Sequence, residues 1–259
     1  MQPNPRAVQT EESPRQMSIG DAAVYVVRVR TDVVVLLARA IGDYFLAGVS
    51  IFGVVFATQQ YHISQQGADL AVLVLGVGAL AGVLLVGRTA DILLRRGHLN
   101  SRIWLGTLGY LLAPLPLLPA ILTHSLAVAV PLFTLGAFFL AGAGPPLDAV
   151  RVDVIVPRLR GRAEAIRQVL RTAAEGGAPA IFGLLAAHLA GGGHSGLRLA
   201  FLVTLPVLLV SGLVLLIALR TYAPDVAAAL ASSERGAPRQ DRGQATERDA
   251  DGTGQGETR

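Results

Sequence analysis

Along this chain, long apolar runs alternate with short polar connections. Six apolar segments follow residue 32, each close to the roughly 20 residues that a helix needs to cross a bilayer. The first spans roughly Val33–Thr58 and is interrupted by Arg39 and Asp43. The second contains the uncharged run Leu70–Gly87. The third covers Ile103–Leu122 and carries Pro114, Pro116 and Pro119, which predict bends. The fourth contains Leu126–Gly144 and ends near Pro145-Pro146, a pair expected to break the helix and free carbonyls toward a cavity. The fifth covers roughly Thr172–Ala190, with Glu175 near its start, and the sixth contains the uncharged run Leu199–Leu219. The expected fold class is therefore an all-α membrane protein with six transmembrane helices within residues 32–222.

The flanks read differently. Residues 1–18 are polar and interrupted by Pro3, Pro5 and Pro14, which predicts a flexible tail. They lack the basic start, apolar run and small-residue cleavage site of a signal peptide. Residues 19–31 carry Arg28 and Arg30 and predict a juxtamembrane segment along the inner membrane surface. Residues 223–259 predict a mostly disordered cytoplasmic tail. From 232 onward it is rich in Ser, Gly, Asp, Glu and Arg and cannot form a core.

Composition agrees with membrane embedding: 52% of the chain is hydrophobic and only 15% charged, too little polar surface for a soluble domain of this length. Cysteine is absent, which excludes disulfides, thiolate metal sites and cysteine nucleophiles. There is no lysine either, hence no Schiff-base or Walker-loop lysine. The net charge of +4 does not point to nucleic acid, because the arginines gather in alternate connections. Arg28 and Arg30 precede the first helix, and Arg88, Arg95, Arg96 and Arg102 flank the second connection. Arg151, Arg158, Arg160, Arg162, Arg167 and Arg171 flank the fourth, and Arg220 follows the sixth helix. The opposite connections hold only Arg198. The positive-inside bias puts both termini and the two arginine-rich loops in the cytoplasm of a multi-pass plasma-membrane protein.

Two charges inside the first helix are the leading functional candidates. Asp43 lies about ten residues into the expected span, roughly 15 Å deep at 1.5 Å per residue. A charge near the midplane costs on the order of 3 kcal/mol, so it is rarely kept without a use. Arg39, four residues earlier, can reach Asp43 on one helix face. The pair reads either as a substrate or proton site, with Asp43 changing protonation, or as a self-neutralising pair that snorkels to the interface. Arg171 and Glu175 repeat the i, i+4 arrangement in the fifth helix, where an inner-gate ion pair is the favoured reading. Asp148, Arg151 and Asp153, past the double proline, are read as gate residues too. The histidines (His62, His98, His124, His188 and His194) do not converge in the sequence, and neither a metal nor another cofactor is expected.

The connection between the second and third helices reads Gly87-Arg88-Thr89-Ala90-Asp91-Ile92-Leu93-Leu94-Arg95-Arg96. This spacing of Gly87, Asp91, Arg95 and Arg96 resembles the cytoplasmic signature loop of the major facilitator superfamily. Ile92 stands where a basic residue is usual and Leu94 where glycine is usual, which fits the weaker copy after the eighth helix. The stretch Asp148–Ala165, with its Val156-Pro157 step and Arg160-Gly161-Arg162-Ala163, is similar to the loop between the tenth and eleventh helices of that family. Tyr44–Phe56, with Phe45, Gly48 and Phe52, looks like the seventh helix of bacterial members. The resemblance covers roughly residues 20–230. It implies the C-terminal six-helix half of a carrier, built of two inverted three-helix repeats. It further implies secondary active transport of a small organic solute, proton-coupled and of the efflux or antiporter type. The Asp91 loop would then dock on a second six-helix half, supplied by a longer chain, a partner chain or a second copy. The physical reading beside it gives Gly87 to close helix approach and Asp91 to a helix N-terminus. Arg95 and Arg96 go to anionic headgroups or to pairing across a gate, and Arg88 is read with them as part of the cytoplasmic gate and signature loop.

Intramembrane enzymes are the competing class. A rhomboid-type protease needs Gly-x-Ser-Gly and a membrane-centred His, whereas Ser50 precedes Ile51 and Ser211 follows Val210. Glu11-Glu12 lies in the polar tail. No enzyme is expected. The remaining alternative is a non-transporting membrane protein that completes or regulates another.

Overall fold

The computed structural model describes residues 29–155, 160–189 and 193–235, and nine helices account for nearly all of these described residues. The expected tail 1–18 and nearly all of the juxtamembrane segment 19–31 lie outside the described residues, as does the chain beyond Arg235. The helices are α1 (Arg30–Tyr61), α2 (Gln65–Arg95), α3 (Ser101–Leu112), α4 (Pro114–Leu122), α5 (Leu126–Gly142), α6 (Gly144–Val154), α7 (Arg160–His188), α8 (Gly193–Thr204) and α9 (Pro206–Arg235).

Proline explains the divisions. Pro114 opens α4 directly after Ala113, which itself keeps right-handed helical geometry, so α3 and α4 form one bent rod. Ala143 plays the same part between α5 and α6, just before the Pro145-Pro146 pair. Pro206 separates α8 from α9. Joined this way, five rods among the described residues are long and apolar enough to cross a membrane: α1, α2, α3–α4, α5–α6 and α8–α9. Their outer faces are apolar. Only 11% of the most apolar stretch of α2 is buried, against 56% for α3–α4. The chain is a multi-pass membrane protein. α7 is 29 residues, ample length, but Arg171, Glu175, Gly176, Gly177 and Pro179 dilute its apolar content.

Two differences from the sequence reading concern boundaries. α1 starts at Arg30 rather than Val33, so Asp32 lies in its first turn. α9 continues to Arg235, past the point where the tail was expected to begin. Ala227–Ala231 is nearly all strong helix former, which extends the rod.

Small residues set the closest approaches. α2 and α5 run parallel, with Gly78 against Thr134, Gly82 against Phe138 and Gly142 against Val86. Gly42 admits the ring of Tyr110 from α3, and Gly48 admits Phe182 from α7. Phe182 is fully buried and meets Tyr44, Phe52 and Phe201 at centroid distances of 5.8, 6.2 and 5.5 Å. This aromatic knot binds α1, α7 and α8.

The bundle has two unlike ends. At one, Tyr61 donates to the Ala120 carbonyl at 2.7 Å, Gln60 to Thr123 O at 2.9 Å, and Arg198 to Leu122 O at 3.1 Å. At the other, Thr31 N donates to Asp225 Oδ2 at 2.9 Å and the Thr31 and Thr221 hydroxyls meet at 2.7 Å. That second end, with its adjoining helix turns, holds every salt bridge found among the described residues.

Candidate functional site

Asp43 is thirteen residues past the start of α1, or roughly 20 Å along its axis. It is 6% exposed. Gly42 beside it lets Tyr110 press against this level of the helix, which closes one side. The partner of Asp43 is Arg171 of α7, whose Nε lies 3.6 Å from Asp43 Oδ2. The same Nε donates to Glu175 Oε1 at 2.6 Å, the i, i+4 contact that the spacing suggested. Arg39 does not close onto Asp43. Its Nη1 donates to the Gly144 carbonyl at 3.1 Å and lies 3.5 Å from Asp148 Oδ1. The tertiary partners win because α6 places a carbonyl and a carboxylate together at the proline break. The carbonyl bonded there is that of Gly144.

Arg151 reaches back across the bundle. Its Nε donates to Asp32 Oδ1 at 2.7 Å, and its Nη1 lies 3.8 Å from Glu164 Oε2. Asp32 is fully buried and its Oδ2 has no hydrogen-bond partner among the described residues. Arg167 forks onto Glu164 one turn earlier in α7. That guanidinium holds the Glu164 carboxyl below the usual glutamate range. A small void of about 10 Å³ lies between Leu36, Arg39, Asp43, Arg151, Arg167 and Arg171. It is near the lower limit for one water.

The ion pairs fall into three sets: Arg39 with Asp148, Arg151 and Arg167 with Asp32 and Glu164, and Arg171 with Asp43 and Glu175. Arg171 faces two carboxylates, so among the described residues this last set has one carboxylate in excess. One turn beyond Asp43, an apolar cavity of about 330 Å³ opens between α1, α2, α4, α5 and α8, lined by Leu46, Val49, Gly53, Leu75, Phe133 and Phe201 among others.

The signature-like loop forms a separate node. Arg102 of α3 reaches Asp91 at 3.5 Å and donates to Asp153 of α6, which also accepts from Tyr222 of α9 at 2.7 Å. Asp91 is thus engaged inside its own bundle. Gly87 lies against Pro145, with 3.5 Å between the position of an added Cβ and the ring. Arg88, Arg95 and Arg96 are exposed and make no ion pair among the described residues. Asp32 and Tyr222 escaped the sequence reading. Asp32 was visible only as a polar residue flanking an apolar run, and its partner is 119 residues away.

No family model and no curated protein matches the sequence. Solved structures do match. One is the crystal structure of a bacterial homolog to the human lysosomal transporter Spinster, in an inward-facing and unoccupied conformation. The TM-score is 0.69 at 18% identity, over 83% of this chain and 53% of that one. The chain has the major facilitator fold. It spans about half the length of the facilitator it matches. The likeness extends to the arrangement of helices and carries no residue roles by itself.

Proposed function

We propose that this chain is the C-terminal six-helix bundle of a proton-coupled secondary transporter of the facilitator type, exporting a small organic solute across the plasma membrane. α7 supplies the sixth crossing, and its charges face protein or water rather than lipid. The charged end lies in the cytoplasm with both termini, in keeping with the positive-inside bias. A second six-helix unit completes the carrier.

The observation that carries this reading is Asp43, a carboxylate at mid-helix, 6% exposed, held by an arginine of another helix within a group that has one carboxylate in excess. Proton binding at Asp43 discharges it and frees Arg171 to turn wholly to Glu175. Loss of that proton re-forms the link between α1 and α7. The coupling is therefore between protonation and the distance between two helices, which is what alternating access requires. The apolar cavity that opens one turn beyond Asp43 offers the solute a dry surface.

The test is Asp43→Asn in the complete assembly, reconstituted in vesicles with a pH-sensitive dye inside. Gradient-driven solute and proton flux should both vanish while membrane insertion is unchanged. Unaltered coupled flux in the variant would sink the proton-site assignment.

A further inference from the structure

Arg39 is held away from the nearest carboxylate of its own helix. It stands four residues before Asp43 on one face of α1, a spacing at which helix ion pairs form. Base before acid is the weaker order, because helical side chains lean toward the N-terminus and Arg39 then leans away from Asp43. The proline break supplies the competing seat, the Gly144 carbonyl at 3.1 Å and Asp148 Oδ1 at 3.5 Å. That seat is incomplete. Arg39 Nε is shut away from solvent and has no hydrogen-bond partner among the described residues. Asp148 is 54% exposed, so water weakens its hold.

Asp43 is loosely held as well. Arg171 Nε lies 3.6 Å from it, but 2.6 Å from Glu175. Arg39, Asp43 and Arg171 all border the void of about 10 Å³, so both arginines and the carboxylate face one unfilled space. The charges that act on Asp43 are Arg39 of α1, Arg171 and Glu175 of α7, and Asp148 of α6. Arg151 and Arg167 stand across the void, and Tyr110 of α3 closes against Gly42. α2 and the α8–α9 rod are uncharged over Leu70–Gly87 and Leu199–Leu219.

We infer that Arg39 is a positioning residue for proton exchange at Asp43. It is the second counter-ion of that carboxylate, parked on Gly144 and Asp148 while Arg171 is in place and turning to Asp43 when α7 withdraws. The inference rests on the reading of Asp43 as the proton site. An ionised Asp43 that lost Arg171 with no replacement would be a bare charge in a poorly solvated place. Exchange between two guanidiniums keeps it paired through the motion, and a proton on Asp43 releases both. Asp148 sets how readily Arg39 is free to turn.

The test is an infrared pH titration of the full chain in detergent, reading the C=O stretch of protonated carboxyls. The band that Asp43→Asn removes belongs to Asp43. A cation brought into contact lowers a carboxyl midpoint by about one pH unit or more, a ten-fold change in proton affinity. Asp148→Asn frees Arg39 and should lower the Asp43 midpoint by about that unit, whereas Arg39→Gln should raise it by a similar amount. In the Arg39→Gln background, Asp148→Asn should have no further effect, because Asp148 acts through Arg39. Elution as a single species is the folding control, and Arg39→Met replaces Arg39→Gln if the latter does not pass it. An equal fall on Asp148→Asn in both backgrounds would mean a direct field of Asp148 and would overturn the inference. So would an unmoved midpoint in Arg39→Gln or in Asp148→Asn. Coupled flux in the complete assembly separates this from the carrier reading. Flux that survives Asp43→Asn, with the midpoint shifts as stated, removes that reading and leaves Arg39 its role at Asp43. Flux lost in Asp43→Asn with unmoved midpoints does the reverse, and no band assignable to Asp43 at any pH overturns both.

Discussion

Gly82 offers the sharpest test of how this bundle is held together. A Cβ at this position would lie 2.1 Å from the Phe138 carbonyl oxygen and 2.8 Å from its carbon. The obstacle is backbone, so no rotamer change relieves it. To restore an ordinary contact of 3.4 Å, α5 would have to withdraw by the difference, about 1.3 Å. The contacts at Gly78–Thr134 and Gly142–Val86 would open with it, since all three lie on one parallel seam. Overpacking of this kind costs about 1–3 kcal/mol, and an unyielding backbone puts it at the upper end. Ala gains about 0.5–1 kcal/mol over Gly within a helix, leaving a net loss of about 2 kcal/mol. Gly76, six residues earlier on the same helix, is the control, because nothing lies within 4 Å of its added Cβ. Gly76→Ala should be neutral or slightly stabilising. Thermal unfolding of both variants in detergent, followed through Trp104 or by size-exclusion chromatography, should separate them by roughly 5–10 °C. If Gly82→Ala melts with Gly76→Ala, the small-residue seam is not what sets the spacing of α2 and α5.

Asp32→Asn should destabilise by about 3–5 kcal/mol, because it leaves the nearly buried Arg151 guanidinium without its main anion. Asp32→Leu/Arg151→Leu should recover most of that loss, and a denaturation series on the singles and the double checks both points. For Glu164, outside the proposed crossing, the folded state holds the carboxyl below its ordinary range through Arg167. Its contribution is therefore present above the unfolded pKa and lost as pH falls through the folded one. Glu164→Gln should remove that part of the acid-limb slope in a stability–pH profile, by a small amount since the side chain is 55% exposed.

The rods were legible in the sequence because each is an apolar run closed by charge or proline, and local pattern is enough to see that. α7 was read as an apolar run over roughly Thr172–Ala190, yet it is not among the five rods apolar enough to cross, because charge, glycine and proline dilute its first half. The site divides along the same line. Arg171 and Glu175 are four residues apart and meet on one helix face, so spacing reaches them. Arg39 and Asp43 have the same spacing, yet Arg39 turns to Gly144 and Asp148 while Asp43 turns to Arg171. Local rules list the contacts available to a residue. The proline break in α6 and the seat of Gly48 on Phe182 decide which are made, and neither is written near residues 39 or 43. Asp91 repeats the lesson: helix spacing offers Arg88 and Arg95, and the turn at Gly97 brings Arg102.

The central claim is six crossings, with the charged end inside and α7 as a true span. A chain without cysteine is suited to mapping by single substitutions. Gln66→Cys, Leu99→Cys, Gly161→Cys and Ser195→Cys each place a thiol at an exposed position near a rod end. With a membrane-impermeant maleimide on intact cells, positions 66 and 195 should label at once, and positions 99 and 161 only after permeabilisation. Labelling of 161 and 195 from the same side would mean that α7 does not cross, and the six-helix carrier half would be wrong.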